Sequence, residues 1–371
     1  MKIKDIKAVK FKLPSPKYKT EVRRPAWADE AEVANPMSRF PNVKVHRSLW
    51  MPKWDQVACV VTAEDGTWGL GMTTYDAPVV SIINDHFAPI LTGEECMATE
   101  KLWDMMFRLA SPYSATGLAS YAISAVDLAL WDLKGKILNK ARSMNFWAGL
   151  PRTKYSAMPP ATTRNGIWSL GFEATKLACP YGPGDGLTGL EGNEQLVAKT
   201  RELIGPSVEL MLDCWMAFDL EFAVRLGERL RPYGLKWMED CLIPEDFQGS
   251  TELRKRLPRH TLATGEHWYT SLPFLQAASN RFVDYLQPDI QWVGGLTATV
   301  KICHNAEAAG IAVIPLGGMN DSYGQHACFA MLNIPWGECF VGSLPGVPLI
   351  EAAQNTPGMS VPEEGWLSDS Q

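Results

Sequence analysis

Three acidic residues stand directly after short apolar runs in the second half of the chain, and they are almost evenly spaced. Asp213, Glu239 and Glu266 are separated by 26 and 27 residues. That spacing fits one strand, one helix and two short loops, which together make one β/α unit. In a (β/α)8 barrel the C-terminal ends of the strands form the rim on which active sites are built. We therefore expect these three carboxylates to meet at one rim.

Carboxylates held this close repel one another unless a cation lies between them. Oxygen ligands select hard cations, and Mg²⁺ is the first choice for such a set. The alternative is that the three residues are unrelated surface acids. Their even spacing and their shared position at strand ends favour the metal site.

Composition and charge exclude several other classes of protein. A length of 371 residues allows two or three domains, or one large barrel with an added domain. A hydrophobic content of 46% and a charged content of 20% are typical of a globular protein with a sizeable core. The net charge of −6 gives no reason to expect nucleic acid as a partner, and it is compatible with an anionic substrate at a site holding a cation.

The chain also lacks the usual signals for export or membrane insertion. No apolar run reaches the roughly 18 residues that a membrane span needs, and the first residues contain no apolar signal segment. We expect a cytoplasmic protein that does not bind membranes. The eight cysteines form no CxxC pair, so reduced, buried thiols are expected and zinc is disfavoured.

The pattern of predicted secondary structure changes near residue 150, which divides the chain into two regions. The first predicts a three-stranded meander followed by helices near 98–109 and 120–135, with a long Pro- and Arg-rich connection at 14–52. A connection of that length is often a lid or binding loop, and disorder is the alternative. The second region alternates strands and helices. Its strand candidates are 155–161, 172–178, 208–212, 235–238, 261–264, 285–286, 312–314 and 338–341.

This alternation predicts an α/β fold built around a (β/α)8-type barrel. We assign residues 1–150 to an α+β capping domain, 151–345 to the barrel, and 346–371 to a tail that packs on the cap. A doubly wound sheet would alternate in the same way. No GxGxxG turn follows any predicted strand, however, which argues against a dinucleotide-binding dehydrogenase.

Other ionisable residues continue the series of strand ends. Lys176 ends the second predicted strand, Asp289 follows the sixth, and Glu338 belongs to the eighth. The rim is thus predicted to carry a lysine and several acids.

With these residues in place, the chain resembles the enolase superfamily, in particular its mandelate racemase subgroup. The resemblance runs from Met1 to Pro348. Several stretches are similar to the L-rhamnonate dehydratase branch of acid-sugar dehydratases. They are NPMSRF at 35–40, VDLALWDL at 126–133, GPGDG at 182–186, LMLDCW at 210–215, GEH at 265–267 and GGLT at 294–297.

The resemblance implies a carbon–oxygen lyase that dehydrates an acid sugar, with Mg²⁺ held by Asp213, Glu239 and Glu266. Such an enzyme removes the proton α to the substrate carboxylate and eliminates the 3-hydroxyl, giving a 2-keto-3-deoxy acid. Mg²⁺ and cationic groups must stabilise the enediolate charge as it develops. Lys176 would assist at the substrate carboxylate, unless it is simply solvated at the rim. L-lyxonate and L-rhamnonate are the favoured substrates, and a homo-oligomer is expected by resemblance.

The chain departs from the subgroup at its usual bases. Leu316 stands where the subgroup carries the histidine that pairs with the counterpart of Asp289, and Ala178 replaces the second lysine of the KxK pair. The proton acceptor is therefore left open. The catalytic candidates are Lys176, His267, Asp289, Tyr323, His326 and Glu338.

Each of these candidates also has a purely structural interpretation. A lone histidine is often structural, a neutral tyrosine needs a strongly lowered pKa to act as a base, and Glu338 could be a salt-bridged rim acid. Substrate contacts are expected from Trp27, His46 and Arg47 in the long first loop, and from Tyr181 after the second strand.

Two other functions compete with dehydration. A racemase or epimerase on the same scaffold needs acid–base groups on both faces of its substrate, and the missing groups disfavour it. A non-catalytic, metal-binding relative is favoured by Leu316, while the complete set of acids argues against it.

Overall fold

A computed structural model describes residues 1–12, 18–22, 33–40, 52–139, 154–158, 172–340, 347–348, 351 and 366–368. In this part of the chain a small cap of strands and helices packs on a larger domain of parallel strands alternating with helices.

The cap begins with the predicted antiparallel meander. Its strands are β1 (Ile3–Phe11), β2 (Gln56–Ala63) and β3 (Trp68–Thr74), which pair in that order. Alternate residues of β2 are buried, as expected for a sheet with one face on the core. The helices are α1 (Asp76–Ser81), which continues through a π-helical turn (Ile82–Phe87) into α2 (Ala88–Leu91), α3 (Thr99–Ala110) and α4 (Leu118–Ile137).

Helix α4 is buried on almost all sides because it lies between the cap sheet and the barrel. Glycines in β3 let it approach closely: a Cβ atom at Gly71 would lie 1.9 Å from the carbonyl oxygen of Ala125. The helix backbone therefore rests directly on the strand.

Eight strands make the barrel. Strands β5 to β10 form one parallel sheet in chain order, and β11 pairs in parallel with β4. They are β4 (Lys154–Met158), β5 (Ala174–Ala178), β6 (Glu209–Asp213), β7 (Trp237–Glu239), β8 (Leu262–Thr264), β9 (Tyr285–Leu286), β10 (Ala312–Val313) and β11 (Trp336–Glu338). The barrel helices are α5 (Gly186–Ile204), α6 (Leu220–Leu230), α7 (Phe247–Arg256), α8 (Leu272–Asn280), α9 (Gly295–Ala308) and α10 (Ser322–Ala330).

The eighth strand begins two residues and ends three residues earlier than predicted. β11 ends at Glu338, where the prediction began. The strand contains Gly337, a poor strand former, whose missing side chain makes room for Met319: a Cβ there would lie 2.3 Å from the Met319 sulfur. Glu338 therefore ends its strand and lies at the rim.

Apolar side chains fill the barrel below the rim. Ala174, Met211, Trp237, Ala263 and Ile314 form one buried cluster inside it. Lys176, Asp213 and Glu239 each follow a member of this cluster by two residues, and so face the same interior one layer higher.

Hydrogen bonds join α4 to the first turn of α9 and to the loop that precedes it. The side chain of Asp127 accepts from both the backbone N–H (3.0 Å) and the hydroxyl (2.6 Å) of Thr297. Ser124 Oγ accepts from the N–H of Gly294, and Ser120 Oγ donates to the carbonyl of Trp292. Gly295 must lack a side chain, because a Cβ would lie 2.3 Å from Asp127 Oδ2.

The tail contacts both domains, whereas the sequence predicted packing on the cap alone. Glu351 accepts hydrogen bonds from Lys19 and Thr20 near the start of the chain. Strand β12 (Trp366–Ser368), by contrast, pairs antiparallel with β4 of the barrel, extending that sheet by one strand.

All eight cysteines are free and buried, as predicted. Among the described helices, none combines the length and the apolar character that crossing a membrane requires.

The burial of Asp127 predicts how stability depends on pH. Burial raises the pKa of Asp127 to about 7, against an unfolded value of about 3.9. The folded protein then binds this proton more tightly, so the contribution to stability is greatest at low pH and is lost as the pH rises through the folded pKa. We expect Asp127→Asn to remove this dependence.

Urea unfolding of the parent and Asp127→Asn, followed at several pH values, measures the effect. Between about pH 5 and pH 7, the parent's unfolding free energy should fall relative to the variant's by up to about 1.4 kcal/mol per pH unit. Asp104→Asn is the control, since Asp104 is an exposed acid paired with Arg108. Parallel pH curves for the parent and Asp127→Asn would contradict the prediction.

Candidate active site at the barrel rim

The structure brings the three predicted carboxylates to the same rim. Asp213 ends β6 and Glu239 ends β7, and the two are paired in register in the sheet. Glu266 follows the end of β8 by two residues. These positions agree with the spacing argument.

Lys176 lies among these acids, buried rather than solvated. Its Nζ atom is 2.6 Å from Glu239 Oε1, 2.8 Å from Glu338 Oε1 and 4.0 Å from Asp213 Oδ2. Burial by itself would lower the pKa of Lys176, but the charges of Glu239, Glu338 and Asp213 raise it well above its usual value. Lys176 is therefore a fixed ammonium group and a poor proton acceptor.

Glu239 and Glu338 are held inside the barrel mouth. Glu239 accepts from Lys176 at one oxygen and from the indole N–H of Trp237 at the other, 2.9 Å away. Burial raises the pKa of Glu338, and the neighbouring Lys176 opposes that rise. Oε2 of Glu338 is buried and receives no hydrogen bond from the described residues. Glu338 is thus salt-bridged, as in its structural interpretation, with one oxygen left over.

Glu266 is buried, and no described residue donates a hydrogen bond to it; the Nε2 atom of His267 lies 4.0 Å from Glu266 Oε1. Burial raises the pKa of Glu266 well above its usual value, and the charges of Asp240 and Asp213 raise it further. A carboxylate in this position is strongly disfavoured as an anion unless a cation accompanies it.

A fourth acid, Asp240, belongs to the site and was missed by the sequence analysis. It is buried at the end of β7, with a left-handed backbone (φ 45°). Oδ1 accepts from the hydroxyl of Thr264 at 2.5 Å, and Oδ2 lies 3.5 Å from His267 Nδ1. Its position directly after Glu239 was the available signal, but alternation along a strand would have turned it away from the interior.

These residues suit a hard divalent cation. Ligand atoms of Asp240, Glu266 and His267 all lie within 4.8 Å of one another. This close group differs from the predicted trio, because Glu239 is turned towards Lys176 and Trp237. A cation at the rim would find Glu266 unpartnered, with Asp213 and Glu239 on the adjoining strand ends. The oxygen-rich donor set matches the preference of Mg²⁺.

His267 belongs to this group, and Asp289 follows the end of β9, the next strand of the same sheet. The His267 ring is partly exposed, and its centroid is 6.0 Å from that of Trp215 and 5.8 Å from that of Trp292. Asp289 Oδ1 accepts from the N–H of Gln291 at 2.7 Å. Burial, and then the charge of Asp321, raise the pKa of Asp289 well above its usual range.

Leu316 lies next to the Asp289 strand end. Its backbone N–H donates to the carbonyl of Pro288 at 3.1 Å. A leucine therefore stands beside Asp289 where the subgroup would have its histidine, which leaves Asp289 without that partner.

The structure argues against Tyr323 as the proton acceptor. Its hydroxyl donates to the carbonyl of Leu70 in the cap, 2.8 Å away, and burial raises its pKa. The phenol thus serves as a contact between cap and barrel. His326 is the fifth residue of α10 and partly exposed, and its catalytic role stays a prediction.

The structure describes one of the four predicted substrate-binding residues. Tyr181 follows β5, exchanges backbone hydrogen bonds with the Asn193 side chain, and packs its ring against Gly192. Trp27, His46 and Arg47 lie outside the described residues.

Comparisons with known protein families cover most of the chain. The model described as enolase C-terminal domain-like matches residues 163–368. The model described as the N-terminal domain of mandelate racemase and muconate lactonizing enzyme matches residues 41–142.

The chain is also similar to individual proteins. It is 38% identical to an L-rhamnonate dehydratase of Saccharopolyspora erythraea over 314 residues, which is 84% of this chain and 80% of the relative. A crystal structure of rhamnonate dehydratase from Gibberella zeae complexed with Mg is 27% identical, with a TM-score of 0.89 over 99% of this chain and 90% of that one. A magnesium-bound racemase from Streptomyces coelicolor, 23% identical with a TM-score of 0.74 over 99% and 97% of the two chains, shares the fold.

The buried position of Lys176 predicts a large effect of removing its charge. Lys176→Met leaves Glu239 and Glu338 buried without their cation, which should lower the unfolding free energy by about 3 to 5 kcal/mol. The deficit should shrink as the pH falls and these carboxyl groups take up protons. Denaturant unfolding of chelator-treated protein measures both effects.

Lys236→Met is the matched control, because Lys236 pairs with Glu209 at 3.0 Å near the surface. It should cost about 1 kcal/mol or less. Equal losses in the two variants would show that burial of the Lys176 pair is unimportant.

Proposed function

Because the chain belongs to the enolase superfamily, within its mandelate racemase subgroup, we propose that it is a Mg²⁺-dependent acid-sugar dehydratase. L-rhamnonate and L-lyxonate are the best candidate substrates, and the relative from Saccharopolyspora erythraea supports the first. The observation that carries the proposal is the group of carboxylates at the ends of β6, β7 and β8. Glu239 and Glu266 are buried, and Glu266 has no hydrogen-bond donor among the described residues.

Asp213, Glu239 and Glu266 would hold the Mg²⁺ ion, with Asp240 and His267 beside them. When bound, the ion polarises the substrate carboxylate and stabilises the negative charge that develops on it. Lys176 adds a permanent positive charge in the same low-dielectric region, where it is most effective. The surrounding acids raise its pKa well above the usual value, which favours the charged form.

The reaction moves two protons and releases water. The proton on C2 of the substrate passes to a base, the 3-hydroxyl leaves with a proton from an acid, and the resulting enol tautomerises to the 2-keto-3-deoxy acid. We assign the base to His267, whose Nδ1 faces Asp240 Oδ2 at 3.5 Å and whose ring edge is partly open. We assign the acid to Asp289, since its raised pKa favours the protonated form.

The competing functions have weaker support. A racemase needs acid–base groups on both faces of the substrate, and Leu316 and Ala178 replace the residues that would supply them. A non-catalytic relative would have no need to bury Lys176 among acids at the rim. The cytoplasmic location and the homo-oligomeric state stay predictions.

A screen of aldonates with Mg²⁺ tests the proposal. We expect a 2-keto-3-deoxy acid from L-rhamnonate or L-lyxonate, and no product when a chelator is present. Asp213→Asn should lower turnover by more than about 100-fold, the upper end of the effect seen for outer-shell groups. Glu221→Gln, an exposed acid on α6, is the control. Undiminished turnover by Asp213→Asn would remove Asp213 from the metal site.

Exchange of the C2 proton with deuterated solvent separates the two proton-transfer roles. His267→Asn should lose both exchange and dehydration, because no base removes the proton. Asp289→Asn should keep exchange while losing dehydration, because only departure of the 3-hydroxyl is impaired. Proton NMR of the substrate follows both processes. If His267→Asn retains exchange, the base lies elsewhere.

A further inference from the structure

Three tyrosines from separate parts of the chain meet between the cap and the barrel. Tyr75 follows β3, Tyr121 belongs to α4, and Tyr269 comes three residues after Glu266. The ring centroids of Tyr75 and Tyr121 are 4.9 Å apart, and those of Tyr121 and Tyr269 are 5.8 Å apart. We call these residues the tyrosine triad.

The rings of the triad are in contact, and burial raises the pKa of all three phenols. Among the described residues, the three hydroxyls have no hydrogen-bond partner outside the triad. Each phenol can donate once and accept twice. The triad therefore has hydroxyl groups available to a ligand.

The triad adjoins the candidate active site on its cap side. Glu266 is close enough for its charge to raise the pKa of Tyr75 and Tyr269, and Asp289 does the same for Tyr121. The Trp292 ring connects the two regions, with its centroid 5.7 Å from that of Tyr121 and 5.8 Å from that of His267.

Simple packing between cap and barrel does not account for the triad. Phenylalanine would fill the same space without placing unsatisfied hydroxyls there. Tyr75 and Tyr269 are also partly exposed, so the interface does not cover them. Tyr75 in addition adopts a left-handed backbone (φ 68°), which costs a residue with a side chain about 1 to 2 kcal/mol. Such strain is typical of residues whose position serves binding.

We propose that the tyrosine triad binds the hydroxyl groups of the substrate beyond C3 and selects monocarboxylic acid sugars over dicarboxylic ones. The inference rests on the proposed function. With the substrate carboxylate at Lys176 and the metal ligands, the rest of the sugar extends towards the cap. Neutral phenols match hydroxyl groups, and their ring faces pack against C–H groups.

A second carboxylate would be poorly accommodated at the triad. The three tyrosines carry no positive charge, and the acidic residues Glu266 and Asp289 lie nearby. Bringing an anion into a largely buried neutral site without a cationic partner is costly. The triad therefore discriminates by charge as well as by hydrogen bonding.

Calorimetric binding in the presence of Mg²⁺ tests the inference with three ligands: an aldonate such as L-rhamnonate, a six-carbon aldarate, and glycerate, which has no carbons beyond C3. We expect the parent to bind the aldonate more tightly than the aldarate. Tyr121→Phe should weaken aldonate binding by roughly 10-fold or more, because it removes a hydrogen-bonding group from a buried site. Its affinity for glycerate should stay unchanged.

Tyr113→Phe is the matched control, since it makes the same change at an exposed cap residue that contacts His86. It should affect no ligand. The inference is overturned if Tyr121→Phe leaves aldonate binding unchanged, if it weakens aldonate and glycerate equally, or if the parent binds the aldarate as tightly as the aldonate. A parent that binds and dehydrates no aldonate overturns the proposed function itself, and this inference with it.

Discussion

The ion pairs of Lys176 with Glu239 and Glu338 are the constraint around which the barrel mouth is built. An ammonium group buried this deeply is tolerated only with carboxylates at hydrogen-bonding distance, and the carboxylates are tolerated only with the ammonium. The three side chains come from strands β5, β7 and β11, so their mutual attraction fixes the relative height of these strands. The positions of these charged side chains at the rim are therefore set by the strands of the barrel and not by its loops.

The rim carries more acidic side chains than Lys176 can neutralise, and this surplus of negative charge allows the rim to bind a cation. Lys176 pairs closely with Glu239 and Glu338. Within the described part of the chain, Glu266 has no hydrogen-bond donor and Asp240 Oδ2 is buried without a hydrogen bond. A region of low dielectric with surplus negative charge binds a divalent cation strongly and concentrates its field on a bound anion. The apolar layer below, which includes Trp237 and Met211, closes the barrel and keeps water from entering beneath the site.

Much of this arrangement was predictable from the sequence because barrel repeats have nearly constant length. The spacing of Asp213, Glu239 and Glu266 located three strand ends, and it correctly implied a common rim. The spacing could not show side-chain direction in short strands, so Asp240 was missed and Tyr323 was placed too close to the chemistry. Both depend on contacts distant in sequence, with Thr264 for Asp240 and with the cap carbonyl of Leu70 for Tyr323. The end of β11 was obscured by a glycine whose role is to accommodate Met319.

Helix α4 touches both halves of the molecule through backbone-level contacts, and this limits how the cap could be exchanged. On one side its backbone rests on Gly71, and on the other Asp127 requires the bare backbone of Gly295. The same helix carries Tyr121 into the region above the metal ligands. A chimera that joins this barrel to the cap of a relative would therefore have to import the helix together with a matching glycine in the barrel loop. Cap and barrel would therefore have to be exchanged as matched partners along this seam, and one buried cluster of apolar side chains runs through both.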